Sequence, residues 1–186
     1  MKHLTVLGAL FIAGVFLTGC PTDDPLTPAW DAFSTRNYPA AYALFSEQAP
    51  TVGAPAYVGL GWTTMRMDSL VQSDSYFAVA AASDTLVDAF AGWAVLGWIR
   101  GQHAECAERV NIVFTLTEGY IFPYDREIRG EDLYLHQAFS YYYLQDYAKC
   151  VGSIQKIDPA FALAISDPQR DVKLLTKLQQ LSDALR

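Results

Sequence analysis

Three residues in the second half of the chain are of types that bind metal ions. His103 and Cys106 have a spacing that occurs in metal sites, and Cys150 could supply a further ligand. The two cysteines, however, also fall at equivalent places in two similar segments, where cysteine acts as a small apolar residue. The sequence therefore favours buried free thiols, with a Cys106–Cys150 disulfide or a metal site as the alternatives.

No other group of residues indicates catalysis. Acidic residues surround Arg126 and Arg129, but they do not alternate as the oxygen ligands of a calcium loop do; they are Glu118, Asp125, Glu127, Glu131 and Asp132. His136 stands without a nucleophile beside it, and neither a Gly-rich phosphate loop nor a Ser-His-Asp order occurs. We therefore predict that the protein is not an enzyme, with no catalytic residues, metal site or cofactor.

Another cysteine, Cys20, stands where its thiol could accept a lipid. It ends a leader that begins with Lys2 and continues through the apolar run 4–16, which is too short to span a membrane. The residues directly before it, Leu-Thr-Gly at 17–19, make a sequence that resembles the lipobox of bacterial lipoproteins. This resemblance implies diacylation of the Cys20 thiol, cleavage of the leader, and acylation of the new amino terminus. A plain signal peptide with an incidental cysteine is the alternative.

The lipobox resemblance also predicts where the protein is anchored. Several acyl chains anchor a protein stably, whereas one does not. Residue 21 is Pro rather than the Asp that favours the inner membrane in enterobacteria, so the resemblance implies the outer membrane, on its periplasmic or cell-surface side. We expect residues 1–19 to be the signal peptide and the polar, proline-containing residues 20–28 to be a lipidated tether.

Length and composition indicate one folded domain after the leader. The 186-residue chain is 52% hydrophobic and 13% aromatic, which is too apolar for a disordered chain. Its net charge of −7 argues against nucleic acid as a partner, because nucleic-acid binding needs a basic surface.

Small residues recur at regular intervals between residues 29 and 165. On the first helix of each predicted hairpin they are Ala29, Gly61, Ala94 and Ala138, at intervals of 32, 33 and 44 residues. On the second helix they are Ala41, Ser73, Cys106 and Cys150, each followed four residues later by Phe45, Phe77, Val110 or Ile154. The pattern resembles the tetratricopeptide repeat family, whose period is about 34 residues. The resemblance implies an all-α protein of four helical hairpins in a right-handed superhelix.

Two segments depart from the repeat. The insertion near residues 117–130 is rich in aromatic residues and either packs back on the repeats or forms a binding loop. Residues 166–186 place Val172, Leu174, Leu175, Leu178, Leu181 and Leu185 on one helical stripe. We expect this segment to be a C-terminal helix that caps the exposed end of the repeat stack.

The tetratricopeptide resemblance implies a binding groove, because one face of each first helix lines the concave surface in that family. The residues that this places in the groove are Trp30, Phe33, Trp62, Met65, Arg66, Trp98, Phe139, Tyr142 and Tyr143, with Ser34, Val95 and Ile99 on the same inward face. So many large apolar side chains are more than a free monomer usually exposes. They either bind a partner or are covered by the insertion or the C-terminal helix of the chain itself.

The predicted function combines the anchor with the groove. We expect a membrane-anchored scaffold that binds a protein or peptide in the cell envelope, reaches the membrane through its lipid, and does not bind nucleic acid. The alternative is a structural subunit of an outer-membrane assembly complex.

Overall fold

Helices dominate the part of the chain that the structure describes. The structure is a computed structural model that describes residues 24–186; the predicted signal peptide and Cys20 lie outside the described residues. The described helices are α1 (Thr27–Ser34), α2 (Tyr38–Val52), α3 (Ala54–Arg66), α4 (Leu70–Ser83), α5 (Val87–Ile99), α6 (His103–Leu116), α7 (Gly130–Tyr143), α8 (Tyr147–Ile157) and α9 (Arg170–Ala184). Within this range the one β pairing is an isolated bridge between Ile121 and Arg129. The predicted all-α fold is confirmed.

Consecutive helices pair into four hairpins, α1–α2, α3–α4, α5–α6 and α7–α8. Each first helix also packs against the second helix of the preceding hairpin, so the hairpins stack in sequence order. None of the helices between residues 24 and 186 combines the length and apolarity needed to cross a bilayer.

The repeat spacing matches the packing. The small residues on the first helices, Ala29, Gly61, Ala94 and Ala138, are all buried. So are the second-helix residues Ala41, Ser73, Cys106, Cys150, Phe45, Phe77, Val110 and Ile154. At Gly61 an added Cβ would lie 2.6 Å from the Phe77 ring, which shows why a small residue is needed there. The recurring small residues therefore allow the helices to approach each other closely at these positions.

The boundaries of the domain differ from the prediction at both ends. The tether was expected to run to residue 28, but α1 already begins at Thr27 and Leu26 is buried in the core. At the other end α9 begins at Arg170, because residues 167–170 first form a turn in which Asp167 accepts the Gln169 N–H. The predicted capping helix therefore exists but is shorter than residues 166–186.

Only some of the apolar residues predicted to lie on one side of α9 pack against the last hairpin. Leu174, Leu178 and Leu181 are buried in a cluster with residues of α7 and α8, and Lys177 forms an ion pair with Asp158. Val172 and Leu175 face solvent instead. This cluster is separate from a larger core that extends through the first three hairpins to the start of α7.

The insertion packs back on the repeats. Residues 117–129 connect α6 to α7, and Tyr120 and Phe122 are buried in the larger core. Of the two expectations for this segment, packing on the repeats is therefore the one that the structure supports.

Candidate binding surface

The predicted groove is closed at its N-terminal end. Trp62 is 0% exposed, and Trp30, Phe33 and Met65 are also buried. Of the two expectations for the groove, covering by the insertion is the one that the structure supports for Trp30, Phe33 and Trp62, whose rings pack against Phe122. Met65 lies instead at the edge of the cavity described below. Replacing Trp62 would consequently lower the stability of the fold rather than remove a contact with a partner.

Aromatic stacking explains how the insertion fills that end. The Phe122 ring stacks on Trp62 with 4.3 Å between centroids and meets Trp30 edge-on at 5.9 Å. Two residues later, Tyr124 stacks on the outer face of Trp30 at 3.8 Å. Phe122 thus occupies a position at which a partner side chain would otherwise enter the groove.

Polar contacts fix the insertion in this place. The Tyr120 hydroxyl donates to Asp88 Oδ1 at 2.9 Å, and burial raises the pKa of the Asp88 carboxyl. Arg66, also expected in the groove, remains partly exposed but forms an ion pair with Asp125 of the insertion. Ser34 Oγ donates to the Tyr124 carbonyl oxygen at 3.2 Å.

The C-terminal end of the concave face stays open. Trp98 is half-buried and its ring lies 5.4 Å from His136, 5.4 Å from Phe139 and 6.3 Å from Tyr143. Beside this cluster Ile99 is 51% exposed and Tyr143 is 56% exposed. An aromatic and aliphatic surface between α5 and α7 therefore remains accessible.

Tyr142 does not join Trp62 and Trp98 in one row. Its ring meets Tyr147 of α8 at 6.2 Å, and it packs with the cluster that α9 covers. Trp62 pairs instead with Phe77 and Phe122. The aromatic residues of the predicted groove therefore do not form one continuous line.

A cavity of about 280 Å³ lies where the closed and open parts of the concave face meet. Three first helices each supply a pair of residues four positions apart, and the insertion adds a wall. The lining residues are Trp62, Met65, Arg66, Val95, Ile99, Asp132, His136, Glu127 and Ile128. Four of these, Glu127, Ile128, Asp132 and His136, were not among the residues that the sequence placed on the inward face.

Asp132 and His136 form the α7 side of the cavity. Asp132 Oδ2 accepts the Arg129 N–H at 2.8 Å and thereby caps α7, and burial raises the pKa of this carboxyl. His136 Nδ1 is buried without a hydrogen-bond partner in the described part of the chain. Burial lowers the pKa of His136 to about 4, so the ring is neutral at neutral pH.

This arrangement of stacked hairpins is similar to two solved structures. A tetratricopeptide repeat protein from Parabacteroides merdae ATCC 43184 matches with a TM-score of 0.59 and 12% identity, over 84% of this chain and 58% of that one. MamA matches with a TM-score of 0.58 and 13% identity, over 83% and 94%. The protein has a tetratricopeptide-like fold.

Both solved structures share the fold of this chain at low sequence identity. This chain spans 58% of the length of the Parabacteroides merdae protein. No protein-family model and no curated protein sequence matches it. The tetratricopeptide-like fold is therefore established by structure, while the partner must be inferred from the surface.

The two described cysteines are free and buried in this tetratricopeptide-like fold. Burial raises the pKa of the Cys106 thiol to about 11 and that of Cys150 to about 12. His103 stacks on Tyr143 with 4.6 Å between ring centroids. Residues 24–186 contain no group of three or more side chains placed to hold a metal ion. The structure thus supports buried thiols among the three alternatives for these cysteines.

The sequence placed Val95 and Ile99 on the inward face, because they lie one and five positions after the aligned small residue, where Trp62 and Arg66 lie in the preceding repeat. Asp132 and His136 have the same four-residue separation but precede the small residue of their own helix. The contribution of Glu127 and Ile128 has no local signal, because it depends on where the insertion folds.

Proposed function

We propose that this protein is a lipid-anchored scaffold of the cell envelope that binds a segment of a protein partner on the open part of its concave surface. The observation that carries the proposal is the exposed surface between α5 and α7, where Ile99 and Tyr143 lie beside the half-buried Trp98. Large, stiff aromatic side chains give much contact area at low entropic cost, and such residues dominate binding energies.

The anchor in this proposal rests on the sequence. Cys20 and the preceding lipobox-like residues support lipidation, and Pro21 supports the outer membrane. In the Cys20→Ser variant we expect an uncleaved precursor that takes up no labelled fatty acid. Cys150→Ala is the control, since that cysteine is buried in the domain and its loss should leave labelling unchanged. Normal maturation and labelling of Cys20→Ser would contradict the anchor.

Crosslinking from the surface tests partner binding directly. A photoreactive residue is placed at Ile99 or Tyr143 in cells, and a matched control at Val71, which is 75% exposed on the second helix of its hairpin. We expect the same crosslinked protein from both concave positions and none from Val71. No crosslink at either concave position, or the same product at Val71, would overturn the proposal.

A second apolar face favours one alternative, the structural subunit of an outer-membrane assembly. Val172 is 69% exposed and Leu175 is 45% exposed on the outer side of α9. A subunit held between two neighbours would use both faces. Crosslinks from Val172 to a second protein, together with stoichiometric co-purification in mild detergent, would favour this function over a receptor for transient segments.

A further inference from the structure

We propose that the cavity between α3, α5 and α7 binds the side chain of a lysine or arginine on the partner's segment. The proposal rests on the function proposed above and names the chemistry that the surface recognises. It is carried by two properties of the cavity: its apolar walls and two carboxylates that form no ion pair in the described part of the chain.

The size and the walls of the cavity suit a single aliphatic side chain. Its volume of about 280 Å³ lies below the range of about 300–1,000 Å³ typical of sites for drug-sized ligands. Met65, Val95 and Ile99 line it with methyl and methylene groups. Lysine and arginine bury the methylene part of their side chains along such surfaces while the charged group stays polar.

The charges at the cavity favour a cation. Glu127 and Asp132 line it, and neither forms an ion pair within residues 24–186. The one basic residue in the lining, Arg66, is already paired with Asp125. An incoming ammonium or guanidinium group would therefore meet two carboxylates that have no ion-pair partner among the described residues, and hydrogen bonds between such charged groups are short and strong.

His136 lines the cavity without adding charge. Its ring stacks against Trp98 with an angle of 15° between the planes. Because the ring is neutral at pH 7, it does not repel a bound cation. An acidic side chain in the same place would face Glu127 and Asp132 and would be repelled.

The probe is a pair of fluorescently labelled peptides, Ser-Leu-Lys-Leu-Ser and the same peptide with norleucine in place of lysine. Both are capped at their ends and are titrated against the full chain in detergent by fluorescence anisotropy. We expect the lysine peptide to bind about tenfold more tightly, because hydrogen bonds to charged groups contribute that much. Its affinity should fall as salt rises, since salt screens the attraction.

Variants locate the binding. Glu127→Gln and Asp132→Asn remove the charge with little change of shape, and Asn can still accept the Arg129 N–H. Each should weaken the lysine peptide several-fold and leave the norleucine peptide unchanged. Glu131→Gln is the control, because this substitution removes the same charge from a residue that lines a different cavity. Equal binding of the two peptides, no binding of either, or equal effects of Glu131→Gln and Glu127→Gln would overturn the proposal.

The outcome separates this inference from the proposed function. If lysine selectivity is absent while Ile99 still crosslinks to a partner, the ligand chemistry is wrong and the scaffold function stands. If the lysine peptide binds selectively and Glu127→Gln weakens it, but no crosslink forms at Ile99 in cells, the cavity chemistry stands and the envelope function is wrong.

Discussion

At the scale of single residues, the absence of a side chain sets how closely the helices approach. Gly92 of α5 lies against the second hairpin, where an added Cβ would overlap the Phe77 ring and lie 2.8 Å from Trp62. Gly152 of α8 has no atom within 4 Å of the place where its Cβ would be. Both glycines lie inside helices, but Gly92 is tightly packed and Gly152 faces open space.

Alanine substitutions at these two glycines should therefore shift stability in opposite directions. Gly92→Ala should lower the free energy of unfolding by about 1–3 kcal/mol, because Phe77 and Trp62 must move. Gly152→Ala should raise it by up to about 1 kcal/mol, since alanine favours the helix interior more than glycine does. Urea unfolding of both variants measures this. A stabilised Gly92→Ala protein would show that the helices approach less closely than described.

The buried histidine gives the protein a dependence on pH. Because burial lowers the pKa of His136 to about 4, the unfolded chain binds this proton more readily than the folded one. Stability is therefore lost as the pH falls from about 6.5 towards 4. Asp88 acts in the opposite sense, since its raised pKa makes the folded state bind the proton first.

The contribution of His136 can be isolated with a variant. Between pH 7 and pH 4.5 the wild type should lose about 2–3 kcal/mol of unfolding free energy through this group. His136→Phe keeps a ring against Trp98 but cannot titrate, so its loss over the same range should be smaller by that amount. Urea unfolding of both proteins at the two pH values measures the difference. Parallel losses would mean that His136 is hydrated in the folded state.

At the scale of elements, the four turns inside the hairpins are the same. Each places a residue with positive φ seven positions after the aligned small residue: Arg36, Asp68, Gly101 and Gln145, with φ between 60° and 68°. In each turn this residue donates its N–H three residues back and the next residue donates five residues back, as from Gln145 to Tyr142 and from Asp146 to Tyr141. This is the Schellman arrangement that ends a helix.

The turns differ in backbone strain, because one has glycine at the position with positive φ and the other three have residues with a side chain. A left-handed backbone costs a residue with a Cβ roughly 1–2 kcal/mol. Gln145→Gly should therefore raise the free energy of unfolding by about 1 kcal/mol and raise the melting temperature with it. Gly101→Ala should lower the free energy of unfolding by a similar amount. Thermal melts of the two variants provide the check. If Gln145→Gly is destabilising, the Gln145 side chain makes contacts that outweigh the backbone strain.

The insertion is the element that decides how much of the concave face is available. It extends from α6, yet Phe122 fills the space between Trp30 and Trp62 of the first two hairpins. Its Glu127 and Ile128 then form one wall of the cavity next to the open surface. The same segment thus closes one part of the groove and completes another.

At the scale of the whole molecule, the chain has two buried clusters. The larger includes residues of the first three hairpins and the insertion, and the smaller is formed mainly by α7, α8 and α9. Helical repeats contact mainly their neighbours, so stability in such proteins is nearly a sum of local contributions. The C-terminal cluster should therefore open separately from the first hairpins.

Hydrogen exchange of a Leu178 variant tests this separation. Leu178 is fully buried in the smaller cluster, and Leu178→Ala should cost about 2–5 kcal/mol there. We expect faster amide exchange in α7–α9 and unchanged exchange in α1–α4. Val172→Ala, on the exposed side of the same helix, is the control and should change little. Equal acceleration in all helices of Leu178→Ala would show one cooperative unit.

The sequence by itself determined the hairpins and their packing register. The small residues and their larger partners four positions later, such as Ser73 and Phe77, are spaced by the geometry of the helix and the length of the repeat. Helical periodicity is a local property, so one chain suffices to predict it. For the same reason the stripe of α9 was predictable at Leu174, Leu178 and Leu181, although not at Val172.

Only the tertiary structure decided which groove residues are accessible. Trp62 and Trp98 both lie on the inward face of neighbouring first helices, but Phe122 stacks on the first, which is buried, while the second is half-buried. The hydrogen bond from Ser34 to Tyr124 joins residues 90 positions apart, and no periodic pattern in the chain encodes so distant a contact. An inserted loop has no repeat to fix its position, so its place depends on which apolar surface the finished stack leaves uncovered.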